Sequence, residues 1–205
     1  MRRHLDILQR DGLVVFSEVR KGTGRPEHSF TLTEPGHESL PKGYGALLGE
    51  LVGELSRTGA DEIAGKSGAE ALQGALAKLG QAAALRYQGT AEDTPLAAAL
   101  QALRDGNFDP EARQDGHRTR ISLSNCPFRS VALTDDAICS YDSALLQAIL
   151  GMGVSRERSI TKGHAWCEYA TATAEPQQES PPSAPQAVSG PVPAAVDALG
   201  GERLG

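Results

Sequence analysis

The sequence is poor in aromatic residues, in cysteine and in long apolar runs. Phe, Tyr and Trp make up 4% of its 205 residues, while 40% of the residues are hydrophobic. A core must therefore be built mainly from Leu, Ala, Val and Ile. No apolar run is long enough to span a bilayer, and no signal peptide opens the chain. We therefore expect a cytoplasmic protein without membrane contact, with one domain or two small ones.

The charge balance is acidic overall but uneven along the chain. A formal net charge of −6 by itself argues against a nucleic-acid-binding protein. Residues 1–26, however, carry six basic side chains against three acidic ones, a local balance of +3. This local excess at one end is more informative than the total.

The N-terminal segment has the pattern of the second half of a winged helix. The sequence predicts a short helix over 2–10, a β-branched strand over 13–19 and a returning strand over 28–33. A glycine-rich basic turn, 21–26, separates the two strands. Helix, strand, basic turn and strand are the recognition helix and wing of such a module.

Four basic residues of this segment are candidate DNA contacts. Arg2 and Arg3 begin the predicted helix, from which they would reach base edges or phosphates in the major groove. Lys21 and Arg25 in the turn would meet phosphates or the minor groove. The alternative interpretation is a solvated basic surface.

Three helices are predicted next, over 44–55, over 68–86 and around Leu96, Leu100 and Leu103. The first is strongly amphipathic, with apolar residues at helical spacing. Its apolar stripe is explained equally well by core packing within one subunit and by a dimer interface.

The C-terminal part predicts a small β-β-α-β-β module and a tail without periodicity. Its elements are expected at 107–113, 118–124, 134–150, 154–160 and 164–171, with turns at Asp115-Gly116 and Lys162-Gly163. The fold class is therefore α+β. It comprises a truncated winged helix (1–43), a helical linker or dimerisation region (44–105), a cysteine-containing sensor module (106–171) and a disordered tail (172–205).

All three cysteines, Cys126, Cys139 and Cys167, fall in the sensor module, and His164 lies three residues before the last. They follow a strand, begin a helix and lie on the last hairpin, so three elements would converge on one point. Thiolates suit iron–sulfur clusters or zinc, including a Cys3His zinc site. Three buried structural cysteines remain an alternative. In a regular strand, His164 and Cys167 would lie on opposite faces.

Several short sequence segments resemble the SufR family of winged-helix repressors of iron–sulfur cluster biosynthesis, which is related to the DeoR and ArsR regulators. These segments are RRHL, DGL and GRP-x-H near the start, PKGYGALLGEL (41–51), NCPFRSVA (125–132), the position of Cys139, and GHAWCEY (163–169). The resemblance covers most of the chain to about residue 171.

The resemblance implies a homodimeric repressor of the suf genes that binds double-stranded operator DNA. It also implies an iron–sulfur cluster held by Cys126, Cys139 and Cys167, 4Fe–4S rather than 2Fe–2S. In the family the cluster-loaded protein binds the operator, and cluster loss under oxidative stress or iron shortage relieves repression.

Two features depart from the family pattern. Some members have a further cysteine where this chain has Gly153. The fourth ligand would then be His164, another side chain, a small molecule or the partner subunit. The two helices that precede a recognition helix are also missing before Met1, so we expect Met1 to be an internal residue or the chain to be a fragment.

Three other interpretations compete with the cluster sensor. One is a zinc- or thiol-redox-sensing regulator, and another is an interaction module without DNA binding. The third is an enzyme with a cysteine nucleophile and His164. No oxyanion loop, nucleophile motif or phosphate-cradling glycine motif supports it, so we expect no enzymatic activity.

Overall fold

A helix and a two-stranded hairpin form the N-terminal part of the structure, a computed structural model that describes residues 2–19, 27–88 and 94–171. Helix α1 (Arg2–Arg10) is followed by antiparallel strands β1 (Val14–Val19) and β2 (Glu27–Leu32). Gly12 ends the helix with a positive φ of 73°, which glycine adopts without steric cost. The predicted helix and hairpin are confirmed, and the predicted turn 21–26 lies outside the described residues.

A short helix that the sequence did not predict, α2 (Glu34–Glu38), follows the hairpin directly. Thr33 caps it, because its hydroxyl oxygen accepts a hydrogen bond from the Gly36 amide at 3.0 Å. The same hydroxyl donates to the Gly12 carbonyl at 2.6 Å, so α2 is fixed against the end of α1.

The helical region contains the three predicted helices and one more. They are α3 (Tyr44–Arg57), α4 (Ala60–Ile63), α5 (Gly68–Ala84) and α6 (Pro95–Asp105). A 3₁₀ turn, Leu85–Tyr87, extends α5. Ser67 and Glu70 form a capping box at the start of α5, and Thr94 caps α6. The unpredicted helix is the single turn α4.

A four-stranded antiparallel sheet forms the C-terminal part, in the order β3-β4-β6-β5. Its strands are β3 (Pro110–Asp115), β4 (Arg118–Leu123), β5 (Val154–Arg158) and β6 (Cys167–Thr171). Between β4 and β5 lie α7 (Arg129–Thr134), a 3₁₀ turn (Asp136–Ile138) and α8 (Cys139–Leu150). The order places β6 in the interior of the sheet.

Three boundary predictions in this part were wrong. The first strand begins at Pro110 and not near residue 107. The helix expected over 134–150 is broken, because the Asp135 side chain accepts a hydrogen bond from the Ala137 amide and starts a separate 3₁₀ turn. The last two strands are shorter than predicted, since another 3₁₀ turn, Ile160–Lys162, occupies their connection.

The helices and the sheet share one hydrophobic core, whose largest helix contact is between α5 and α8. Gly80 makes this contact close, because a Cβ at that position would collide with the Tyr141 carbonyl oxygen. Core residues come from both sides of the predicted 105/106 boundary, among them Leu76, Leu103, Ile121, Leu146 and Tyr169. The two predicted regions therefore pack together.

The architecture of helices and two small antiparallel sheets is α+β, as predicted. Within the described ranges no helix has the length and apolar character needed to cross a membrane. The predicted tail, 172–205, lies outside the described residues.

Candidate functional site

The three cysteines line one small cavity. Cys126 comes from the loop after β4, Cys139 is the first residue of α8, and Cys167 is the first residue of β6. The cavity has a volume of about 10 Å³. That volume is close to the minimum needed for a single water molecule. The predicted convergence of three separate elements is therefore seen in the structure.

Local interactions fix each cysteine in place. Asn125, just before Cys126, donates from Nδ2 to the Asn107 carbonyl at 2.7 Å, and the Arg129 amide donates to the Cys126 carbonyl at 3.3 Å. The Cys139 carbonyl accepts a hydrogen bond from the Ser143 hydroxyl at 2.9 Å. Cys167 pairs with Leu123 of β4 in the sheet.

The remaining wall of the cavity is apolar except for Asp142. Phe108, Leu123, Phe128, Ile138 and Ile160 supply the apolar surface. Asp142 is 6% exposed, and its Oδ2 accepts a hydrogen bond from the Tyr169 hydroxyl at 2.6 Å. Three thiols and one carboxylate thus face a common space.

Burial controls the ionisation of these groups. It raises the pKa of Cys126 and of Cys139 to about 12 and also raises the pKa of Cys167, with the Asp142 charge acting in the same direction. Burial likewise raises the pKa of Asp142 to about 6. A bound cation would reverse this trend, because it stabilises thiolates and carboxylates.

Arg156 of β5 brings a positive charge to the edge of the site. The charge of its guanidinium group opposes the rise that burial causes in the pKa of Cys139, and its Nη2 lies 3.4 Å from Asp136 Oδ2. Its buried Nη1 has no hydrogen-bond partner among the described residues. The site therefore has a cationic group beside the thiols as well as the buried carboxylate.

The donor set fits an iron–sulfur cluster or a zinc ion in kind, since both are held by thiolates completed by another donor. In the part of the chain that the structure describes, no group of three or more His, Cys, Asp or Glu side chains has the arrangement that holds a metal ion. The cavity walls would have to separate to hold a cluster of several atoms.

The structure does not bring His164 into this cavity. His164 follows Gly163, whose φ is +81°, and its side chain is exposed. Its Nδ1 lies 3.1 Å from the Ser159 carbonyl oxygen and 3.4 Å from the Ser159 amide nitrogen. The loop conformation therefore joins His164 to Ser159 and not to the cysteines, contrary to the predicted Cys3His set.

No protein-family model and no curated protein matches the chain. Among solved structures, it is similar to the crystal structure of the phenol-responsive sensory domain of the transcription activator PoxR with phenol. The identity is 13% over 83% of this chain and 89% of that chain, and the TM-score is 0.39. A likeness this weak carries no argument about function.

The predicted DNA contacts are only partly described. Arg3 is exposed on α1, which packs against β1 of the hairpin. The side chain of Arg2, together with Lys21 and Arg25, lies outside the described residues. Arg3 is thus the one predicted contact whose surroundings the structure shows.

Sequence reasoning missed a set of contacts between the start of α7, directly after the Cys126 loop, and the N-terminal elements. Arg129 donates from Nε and Nη2 to the two carboxylate oxygens of Glu34. The Tyr44 hydroxyl lies 2.7 Å from the Ser130 hydroxyl and accepts a hydrogen bond from the Ser130 amide at 3.2 Å. The first turn of α7, three residues after Cys126, is therefore bonded to α2 and α3.

Proposed function

We propose that this chain is a DNA-binding transcriptional repressor of iron–sulfur cluster assembly genes, and that it senses cluster supply or redox state through Cys126, Cys139 and Cys167. The observation that carries the proposal is their convergence on one buried cavity from a loop, a helix end and a strand. Cysteines of a purely structural role need not meet in this way.

The resemblance to the SufR family supplies the identity of the bound group. An iron–sulfur cluster would be held by Cys126, Cys139 and Cys167 and would cross-link the three elements that carry them. Oxidants or iron shortage would remove the cluster and so break this cross-link. A 4Fe–4S cluster is the form we propose.

The residues after Cys126 connect this site to the N-terminal elements. The Gly43 amide donates to the Pro127 carbonyl at 3.4 Å, directly before α3 begins. Phe128 contributes to the cavity wall and also packs against Tyr44, with ring centroids 6.5 Å apart. A change in the position of Cys126 therefore reaches α2 and α3 through direct contacts.

Two partners follow from this function. Double-stranded DNA would contact α1 and the hairpin, with Arg3 in contact with the duplex. A second copy of the chain would cover the exposed apolar stripe of α3, where Leu48, Val52 and Leu55 are 62%, 56% and 48% exposed. Two copies would supply the two DNA-binding modules that a palindromic operator needs.

Purification without oxygen tests the proposal. Iron, acid-labile sulfide and zinc are measured together with the visible spectrum, for the wild type and for Cys126→Ser, Cys139→Ser and Cys167→Ser. We expect iron and sulfide in equal amounts and visible absorption that each serine variant abolishes. His164→Ala is the matched control and should keep both. Colourless, metal-free wild-type protein would contradict the proposal.

The small cavity favours a second candidate, a zinc- or thiol-redox-sensing regulator. A space of about 10 Å³ is of atomic size, so it needs less rearrangement for one ion than for a cluster. Stoichiometric zinc without visible absorption, in the same measurement, would establish this candidate and exclude the cluster.

A further inference from the structure

We infer that Asp142 supplies the fourth protein ligand of the group held by the three cysteines. This inference rests on the proposed function and adds an oxygen donor to its site. Asp142 lines the same cavity as Cys126, Cys139 and Cys167. It lies three residues after Cys139 on α8, a spacing that places two side chains on the same face of a helix.

Asp142 is buried without a direct salt bridge, although the charge of the Arg156 guanidinium group at the edge of the site acts on it. The residue is 6% exposed and forms no salt bridge with any Lys or Arg of the described ranges. The neutral Tyr169 hydroxyl donates to its Oδ2. A buried carboxylate without a cation is costly, so such groups in proteins are paired or coordinate a metal. The Tyr169 hydroxyl and the more distant Arg156 charge stabilise this carboxylate in part, and a metal centre held by the three thiols would stabilise it directly.

The other candidates for the fourth position are less suitable. His164 is exposed and contacts Ser159. Among the described residues that line the cavity, Asp142 is the one metal-ligating side chain besides the cysteines, because the others are Phe, Leu and Ile. The protein can therefore complete a set of four ligands within one subunit.

A carboxylate ligand gives the bound centre a recognisable chemistry. Carboxylate oxygen is a harder donor than thiolate sulfur and matches iron in a cluster less well. The iron bound to Asp142 would therefore be the first one lost to a chelator. Replacing the oxygen by sulfur should remove that difference.

The experiment compares the wild-type chain, Asp142→Asn, Asp142→Cys and Tyr169→Phe, purified without oxygen. Iron and sulfide per chain, the electron paramagnetic resonance spectrum after reduction and the rate of iron transfer to a chelator are measured. Asp142→Asn should lose iron to the chelator at least ~10-fold faster than the wild type. Asp142→Cys should keep its full iron content, with an altered spectrum and slower iron loss.

Two controls separate ligation from a structural role. Tyr169→Phe removes the hydrogen bond but keeps the carboxylate, so it should retain the iron and sulfide content of the wild type and lose iron more slowly than Asp142→Asn. Glu111→Gln changes an exposed carboxylate on β3 that does not line the cavity, and it should leave all three readouts unchanged.

Each outcome bears on a distinct claim. If Asp142→Asn and Asp142→Cys both match the wild type in spectrum and iron loss, Asp142 is not a ligand while the cluster sensor stands. If Asp142→Asn does not fold, the Asp142→Cys spectrum decides the question. Wild-type protein that contains neither iron nor sulfide would instead contradict the proposed function itself.

Discussion

Glu34 and Arg129 form a two-point ion pair between α2 and α7, with Arg129 Nη2 2.5 Å and Nε 3.0 Å from the two carboxylate oxygens. The hydrogen bonds from Arg129 lower the pKa of Glu34. Ninety-five positions separate the partners in sequence, and Arg129 follows Cys126 by three residues. The ion pair therefore links the candidate metal site to the segment that follows the hairpin.

Replacing Glu34 by Gln should loosen α2 without unfolding the chain. The Glu34 side chain is largely exposed, so the free energy of unfolding should fall by about 1 kcal/mol or less. Hydrogen exchange of the backbone amides in α2 should become faster. Glu111→Gln, an exposed change on β3, is the control and should leave these amides unchanged. Unchanged exchange in Glu34→Gln would show that the ion pair does not hold α2.

The same ion pair predicts a pH dependence. Because the folded-state pKa of Glu34 is lowered, its contribution is fully present above the unfolded-state pKa, near 4.3. It is lost as the pH falls through the lower folded-state pKa. Exchange in α2, corrected for the intrinsic rate, should therefore rise in acid for the wild type and stay flat for Glu34→Gln. Parallel curves for the two proteins would contradict this.

Replacing Gly80 by Ala should disrupt the contact between α5 and α8. The new methyl group would collide with the Tyr141 carbonyl oxygen, so we expect a loss of about 1–3 kcal/mol in the free energy of unfolding. Gly74→Ala in the same helix has open space around the new methyl group. It should stabilise the chain by about 0.5–1 kcal/mol through helix propensity. Denaturant unfolding of both variants measures the contrast, and equal effects would rule out a close helix contact at Gly80.

Charged residues on the exposed stripe of α3 should prevent association of two copies. We expect Leu48→Glu with Val52→Glu to shift the mass in sedimentation velocity from dimer to monomer, because buried charges without partners are costly. Leu85→Glu is the control, since Leu85 is equally exposed outside this stripe. A wild type that sediments as a monomer at micromolar concentration would refute the proposed dimer surface.

Arg3→Ala should weaken binding to a duplex in a salt-dependent way. Loss of one phosphate contact reduces the slope of log affinity against log salt by about 1. A 30-base-pair duplex of mixed sequence, titrated at several salt concentrations, provides the measurement. Arg104→Ala, an exposed change on α6, should leave the slope unchanged. Equal slopes for the wild type and Arg3→Ala would show that Arg3 does not contact the DNA.

The sequence predicted a helix or turn correctly where a single local pattern was strong. The apolar spacing of α3 and the Asp115-Gly116 turn between β3 and β4 are such signals. The short helices α2 and α7 were missed because each has too few residues for a helical period to show. The helix start predicted at Thr134 was wrong because Asp135 caps a 3₁₀ turn and not α8.

The site was predictable only in part. The type and clustering of the cysteines indicated a shared centre, and the structure brings all three to one cavity. Asp142 was missed, although its spacing from Cys139 on a predicted helix was a usable signal. The contact of Arg129 with Glu34 depends on tertiary packing across the chain, and no local pattern reveals it.

The three walls of the cavity differ in stiffness. Cys167 begins β6, which has a hydrogen-bonded strand on each side, and Cys139 begins α8, which packs along α5. Cys126 lies in a loop outside any helix or strand. A change in cavity volume would therefore be absorbed at the compliant wall, the Cys126 loop, while the other two walls act as a fixed frame. Because this loop leads directly into α7, whose first residues are bonded to Glu34 and Tyr44, expansion of the cavity would displace the N-terminal elements.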